Sequence, residues 1–324
     1  MKTLQRTWAI VLAAGDGTRL ASLTTDEHGN SVPKQFCSLD GGSSLLHDAM
    51  QRARHVAPRE RVCVIVADHH RRYWQSALRA LPSSNVIVQP RNCGTANGVL
   101  LATLRILESD PLARIVFLPA DHYVRDEAAL AGALREAATL LTRTPDELLL
   151  LGIEPEEADP ELGYILPGAD SGEKLRGVRS FVEKPQLSVA RQLVKQGALW
   201  NSFIFAAHGP TLLGMIRAAC PENVERMETA LARDVRIGAR STGLEEVYED
   251  LPSVDFSRGV MQGAESLLRV ITAPACGWSD LGTPRRVAEA LKRFEPMTTR
   301  HPVLFAMPAF INLAAQHARL AMAG

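Results

Sequence analysis

Through its first 150 residues the chain alternates short apolar runs with amphipathic stretches. Residues 8–12 (WAIVL), 61–67 (RVCVIVA), 85–89 (NVIVQ), 114–118 (RIVFL) and 148–153 (LLLLGI) have the length and composition of strands buried on both faces. Between them, residues 44–56, 73–81, 99–108 and 127–141 carry apolar positions at helical spacing. Strand and helix alternating with crossovers of this length predict a mainly parallel central sheet flanked by helices, an α/β class. The second half is less regular. Residues 163–166 and 178–185 read as paired strands of a smaller antiparallel flap, and 200–205 as a further strand. Residues 188–196, 211–220 and 221–234 read as helices.

Two polar or broken stretches punctuate this pattern. Residues 21–32, with TTDEHGN at their centre, predict a long loop able to close over a ligand. From Pro302 onward the chain is apolar again, but Pro308, Asn312, Gln316, His317 and Arg319 interrupt it, and no span of ~20 apolar residues survives to cross a membrane. A packing or subunit-contact helix is the expectation there. The division predicted is one domain over 1–294 and a short helical tail over 295–324. Lys2 and Arg6 ahead of the first apolar run give it the look of a signal peptide. That run leads directly into a glycine turn, so it reads as the first strand.

Composition adds exclusions. Of 324 residues, 46% are hydrophobic and 22% charged, which is a globular balance. Lys plus Arg and Asp plus Glu both total 36, so net charge points to neither nucleic acid nor an anionic membrane. The five cysteines (37, 63, 93, 220, 276) are scattered, odd in number and without a C-x-x-C pair. They argue against a disulfide framework or a zinc-ribbon site and fit a reducing cytoplasm.

The candidate chemistry begins where the first strand ends, at Ala13-Ala14-Gly15-Asp16-Gly17-Thr18-Arg19. Glycines there allow a sharp turn that presents bare N–H groups, and a guanidinium just beyond adds a forked positive charge suited to phosphate oxygens. Leu20 stands where a dinucleotide fingerprint needs its third glycine, and Gly17-Thr18-Arg19 is not a Walker ending. A phosphate cradle and a plain turn with Arg19 in solvent both remain open on these residues alone. Further on, Gly94 and Thr95 lie in a polar loop between the third strand and its helix, with N–H groups to offer at a helix N-terminus. Asp121 follows the fourth strand, where ligands bind in open α/β sheets.

Taken in order, LAAGDGTRL, PKQF, QPRNCGTA, PADH, GYI, VEKP, WNSFIF, VDF and GWSDLG resemble the islands of the sugar-1-phosphate nucleotidyltransferases over residues 8 to about 290. The branch resembled most, through PKQF, RNxGTA, ADH and WNS, is the mannose-1-phosphate guanylyltransferases. The resemblance implies a Rossmann-like nucleotidyltransferase fold. It also implies attack by a sugar-1-phosphate oxygen on the α-phosphorus of a nucleoside triphosphate, with release of pyrophosphate. On that resemblance Ala13, Ala14, Gly15, Gly17, Thr18 and Arg19 hold the triphosphate, and Gln89, Gly94 and Thr95 meet the base. Lys34 would bind the α-phosphate and the sugar phosphate. Asp121 and Asp280 would hold Mg²⁺, a hard ion that keeps several waters and takes few protein oxygens. Gly163, Glu183 and Asn201 would bind hexose hydroxyls, with Lys184 on the sugar phosphate. The implied partners are the two substrates, and a homo-oligomer is compatible with the sequence. Phe203 stands where the family commonly has glycine, which would reshape the sugar end. The alternatives are the same chemistry with UTP or dTTP and glucose 1-phosphate, or a non-catalytic ligand-sensing subunit.

Overall fold

The computed structural model describes residues 6–26, 28–170, 172–233, 236–237, 240–292 and 311–316. Its first strand, β1 (Thr7–Ala13), is the centre of a βα succession. This runs α1 (Ala21–Thr24), α2 (Leu45–Ala53), β2 (Val62–Ala67), α3 (Arg71–Ala77), β3 (Val86–Gln89), α4 (Thr95–Leu107), β4 (Arg114–Pro119), α5 (Glu127–Leu140) and β5 (Leu148–Ile153). The second half supplies β6 (Gly163–Pro167), β7 (Arg176–Glu183), α6 (Leu187–Lys195), β8 (Leu199–His208), α7 (Gly209–Ala219) and α8 (Pro221–Ala232). Two-residue strands β9 (Arg236–Ile237) and β10 (Arg240–Ser241), α9 (Thr242–Val247), β11 (Leu268–Thr272) and α10 (Pro284–Lys292) complete it.

Nine strands form one sheet in the order β3-β2-β1-β4-β8-β5-β11-β7-β6. β1 pairs in parallel with β2 and β4, β2 with β3, and β5 with β11. β8 lies between β4 and β5, antiparallel to both, and β7 is antiparallel to β6 and β11. The sheet is therefore mixed: seven strands share one direction, and β7 and β8 run against them. The expected flap is no separate layer, because β7–β11 and β6–β8 pairings weld the β6–β7 ribbon into the sheet.

Both faces are covered, as the continuous apolar strands require. Ala9, Val11 and Ala13 of β1 point into a core shared with Leu45 and Ala49 of α2 and Leu130 and Leu134 of α5. Ile10, between them, points the other way, into a core with Leu100 and Leu104 of α4 and Met215 of α7. That period of two in a sheet covered on both sides is why polar alternation is missing from β1.

Two local expectations change. Residues 21–32 are not a free loop: α1 occupies their start, Thr25 bridges to Ser31, and Leu23, Thr24 and Val32 are buried. α4 begins at Thr95, four residues earlier than its apolar spacing suggests, and takes Gly98 into its second turn. A Cβ there would lie 2.7 Å from Gln89 Oε1, so this glycine lets helix and strand end approach. Of the tail, residues 311–316 are described. Ser38 N–H donates to Ile311 O and Leu313 N–H to Ser38 O, and Leu313 is fully buried. The rest of 295–324 lies outside the described residues.

Candidate active site

Because β1, β2, β3 and β4 run parallel, their C-terminal ends share one edge of the sheet, and the polar loops that follow them converge there. A cavity of about 300 Å³ opens at that edge. Ala14, Gly15 and Arg19 line it from the β1 turn, Gln89, Gly94 and Thr95 from β3 and α4, and Asp121 from β4. Gly163, Glu183, Lys184 and Asn201 line its far end, and Asp280 its base. Ala13, Gly17, Thr18 and Lys34 are not among the residues that line it.

The glycine turn is built for exposure of N–H groups. Gly17 is left-handed (φ 65°), and a Cβ on it would meet the Lys34 amide nitrogen at 3.0 Å. Gln35 Nε2 donates to Ala13 O and Gly15 O, each at 2.9 Å, which holds the turn's carbonyls back. Among the described residues no acceptor meets the N–H groups of Gly15, Asp16 or Gly17, as an anion nest requires. Arg19 Nη1 lies 3.6 Å from Glu161 Oε2 across the cavity mouth, both side chains half exposed.

The second loop differs from expectation. Its first amides do not wait for a ligand: Gly94 N–H donates to Asn92 Oδ1 and Ala96 N–H to Val254 O. The Thr95 hydroxyl accepts from Phe256 N–H at 2.8 Å. Gly94 itself has φ 86°, and a Cβ there would lie 2.4 Å from Val254 O. Gly94, Thr95 and Gln89 nonetheless share the cavity wall.

At the base, charges are tightly interlocked. Lys34, 4% exposed, puts Nζ 3.0 Å from Asp121 Oδ2 and donates to the carbonyls of Asp280 and Leu281. Asp280, 7% exposed, is paired through Oδ1 with Arg286, which also pairs with buried Asp159. Burial alone would raise both aspartates. Burial is the largest single influence at each, but at Asp121 the Lys34 charge, His122 and the Lys34 hydrogen bond together outweigh it, and at Asp280 the Arg286 charge, His122 and Lys34 together do so, and both carboxyls lie below their ordinary range. His122 is pushed down to about 4, chiefly by burial and against the pull of Asp121. Its Nδ1 accepts from Trp278 Nε1–H at 3.2 Å, so the neutral ring carries its proton on Nε2, facing Asp121.

At the far end, Gly163 pairs with Glu183 in the β6–β7 register. A Cβ on Gly163 would lie 2.4 Å from Glu183 Oε2, so only glycine lets that carboxylate cross the strand. Burial, then the Asp255 charge, raises the Glu183 carboxyl above its usual range. Asn201 Oδ1 accepts from Phe203 N–H, and Asn201 Nδ2 reaches Ser257 Oγ at 3.5 Å. A register shift at Leu150/Gly152 of β5 and φ 55° at Phe203 turn β8 there. Lys184, Phe203 and Leu281 are the non-glycine residues with positive φ among those described, and all three lie at or beside the cavity. Such strain collects where side chains are held for function.

Sequence reasoning missed several members. Gln35 was visible inside PKQF, Asp255 inside VDF and Ser257 just after it, but nothing in the order of residues paired them with the site. Asn92 was visible inside QPRNCGTA but not its bond to Asp16. Asp159 and Glu161 carried no signal, because each matters through a partner more than 100 residues away, and Arg286 pairs both with Asp159 and with Asp280 six residues before it.

The Nucleotidyl transferase family model matches residues 8–295, and the chain belongs to that family. Its fold is the nucleotidyltransferase fold with mixed α/β content. The chain is 30% identical over 310 residues to a mannose-1-phosphate guanylyltransferase of Salmonella muenchen, covering 92% of this chain and 62% of that one. It is 30% identical over 287 residues to mannose-1-phosphate guanylyltransferase RfbM of Salmonella typhimurium, covering 85% and 56%. The chain thus spans about three fifths of the length of these curated relatives. A crystal structure of a mannose-1-phosphate geranyltransferase from Thermus thermophilus superposes with a TM-score of 0.76 at 31% identity, covering 90% of this chain and 81% of that one. No helix among the described residues is long and apolar enough to cross a membrane.

Proposed function

We propose that the protein transfers the nucleoside monophosphate of GTP to mannose 1-phosphate, releasing pyrophosphate and leaving GDP-mannose. The observation that carries this reading is the convergence, in one cavity, of an amide-lined glycine turn, a Lys34–Asp121–Asp280 base and a hydroxyl-binding end at Glu183 and Asn201. The names of the relatives support the choice of base and sugar.

Two polyanions must approach each other, so the protein's task is alignment and charge neutralisation. Free amides of Gly15 and Gly17, with Thr18 beside them, cradle the triphosphate, and Arg19 leaves Glu161 for the transferring phosphoryl group and the departing pyrophosphate. Gln89, Gly94 and Thr95 form the surface on which the purine lies. Gly163 allows Glu183 to reach the hexose hydroxyls beside Asn201, and Lys184 neutralises the sugar phosphate. Lys34 keeps the Asp121 and Asp280 loops together and offers its charge to the α-phosphate. The nucleophilic phosphate oxygen is ionised at neutral pH, so no general base is needed, and neutral His122 serves to orient Asp121.

Asp121 and Asp280 fit a hard divalent cation such as Mg²⁺. Both carboxylates line the cavity, and both are held ionised by neighbouring cations. Because Asp280 already has Arg286 on one oxygen, the pair offers few ligands and leaves the rest to water and phosphate. When bound there, the ion supplies positive charge for the phosphate oxygens.

The test is pyrophosphate release by purified protein with Mg²⁺, crossing GTP, ATP, UTP, CTP and dTTP against mannose 1-phosphate and glucose 1-phosphate. Turnover confined to GTP with mannose 1-phosphate is expected. Turnover with UTP or dTTP and glucose 1-phosphate would move the specificity, and binding without turnover in any pair would overturn the catalytic reading.

A further inference from the structure

The carboxylate of the glycine turn has partners that phosphate binding does not use. Asp16 Oδ1 lies 2.9 Å from His69 Nε2 and 3.5 Å from His70 Nε2, and the three atoms all fall within 4.8 Å of one another. Asp16 comes from the β1 turn, and the two histidines from the short turn Asp68–His70 at the end of β2. On the other side, Asn92 Nδ2 donates to Asp16 Oδ2 at 3.0 Å, which fixes the carboxylate plane. Three loops therefore meet at one oxygen and two imidazole nitrogens.

His70 makes the cluster more than a surface ion pair. It is 6% exposed, its Nδ1 has no partner, and its Nε2 is directed at the cluster without a hydrogen bond of its own. Its ring is wedged against Phe36 and Tyr73, so it cannot turn away. Of the neighbouring cations, Arg71 is paired with Asp68 and Arg72 lies over the Tyr73 ring.

We propose that Asp16, His69 and His70 form a binding site for a borderline transition-metal cation of the Zn²⁺ class, separate from the Asp121–Asp280 base. Tetrahedral zinc with nitrogen and oxygen ligands at about 2.0–2.2 Å places its donors about 3.4 Å apart, and the observed 2.9 and 3.5 Å bracket that spacing. The donor set of two imidazoles and one carboxylate suits zinc or cobalt and not magnesium. Asn92 plays the outer-shell part that holds a ligating carboxylate. The ligand states suit it too. Burial pushes His70 down to about 4, and at Asp16 the Asn92 and His69 hydrogen bonds overcome burial to keep the carboxyl low, so His70 is neutral and Asp16 ionised at neutral pH. Three protein ligands leave a fourth position open. A bound ion would pin the phosphate-binding turn of β1 to the end of β2.

The test uses full-length protein stripped with chelator, without nucleotide or Mg²⁺. Zn²⁺ is titrated by calorimetry and thermal unfolding, and Co²⁺ by its visible ligand-field absorption. One equivalent is expected to bind, with a rise in melting temperature and a tetrahedral cobalt band. His69→Ala, a half-exposed position, is expected to keep the metal-free melting temperature and lose about 10-fold or more in affinity, whereas Asp121→Asn keeps the wild-type affinity. Failure of wild type to bind saturably, equal affinity in H69A, or loss in D121N in place of H69A would each overturn the proposal.

Discussion

Arg286 holds two buried carboxylates at once, and replacing it with methionine measures what that arrangement is worth. The side chain is 7% exposed and spans Asp280, at the base of the cavity, and Asp159, itself 6% exposed. Methionine keeps most of the aliphatic stem's volume and removes the charge, so packing loss stays small. Removing one partner of a buried ion pair costs about 3–5 kcal/mol, and because Asp159 keeps Arg285 at 3.5 Å the loss falls chiefly on Asp280, whose main cation is removed. With a urea slope of ~3 kcal/mol/M for a domain of this size, the unfolding midpoint should fall by about 1–1.7 M at pH 7. Trp278, two residues from Asp280, gives the fluorescence signal.

The pH dependence separates charge from packing. In the wild type the Asp280 carboxyl lies below its ordinary range, so its contribution is present above the unfolded pKa of about 3.9 and is lost as pH falls through the lower folded value. In R286M the same carboxyl is buried without its main cation, and its pKa rises. The variant's deficit is then largest near pH 7–8 and shrinks toward pH 5 as the group takes up a proton. A deficit under ~1 kcal/mol at pH 7, or one that does not change between pH 5 and 8, would refute the view that Arg286 stabilises buried charge.

Other expectations concern the site directly. Gly163→Ala puts a Cβ 2.4 Å from Glu183 Oε2, so the carboxylate must move by about 1 Å; kcat/KM for the sugar phosphate should fall roughly 100-fold while the nucleotide KM holds. An unchanged sugar-phosphate kcat/KM would remove Glu183 from the sugar site. Gly94→Ala combines φ 86° with a Cβ 2.4 Å from Val254 O and should lower the unfolding free energy by about 1–3 kcal/mol, read by urea denaturation; a change within error would mean the loop relaxes freely. Arg19→Lys keeps the charge but loses the planar fork and should lower kcat more than nucleotide affinity; equal kcat would leave Arg19 a surface partner of Glu161.

The sequence by itself determined the elements with local causes. β1, β2, β3 and β4 were legible because strands buried on both faces must be apolar throughout, and the turns after β1, β3 and β4 because glycine and polar residues interrupt those runs. The order of polar islands carried the family, which the match over residues 8–295 bears out. What the tertiary structure decided is non-local. β11 is five residues with Arg269 inside, unremarkable as sequence, and becomes part of the sheet by pairing with β5 from more than a hundred residues away. The welding of the β6–β7 ribbon into a mixed sheet and the placing of antiparallel β8 between β4 and β5 likewise follow from pairings that no local pattern encodes. Lys34 and Asp280 were recognisable as charged residues in polar islands. That Lys34 is nearly sealed between two aspartate loops, and that Asp280 leans on Arg286 and through it on Asp159, depends on burial and on partners brought together only when the chain closes. Periodicity reports which face a residue takes; the charge that settles beside it is chosen by folding.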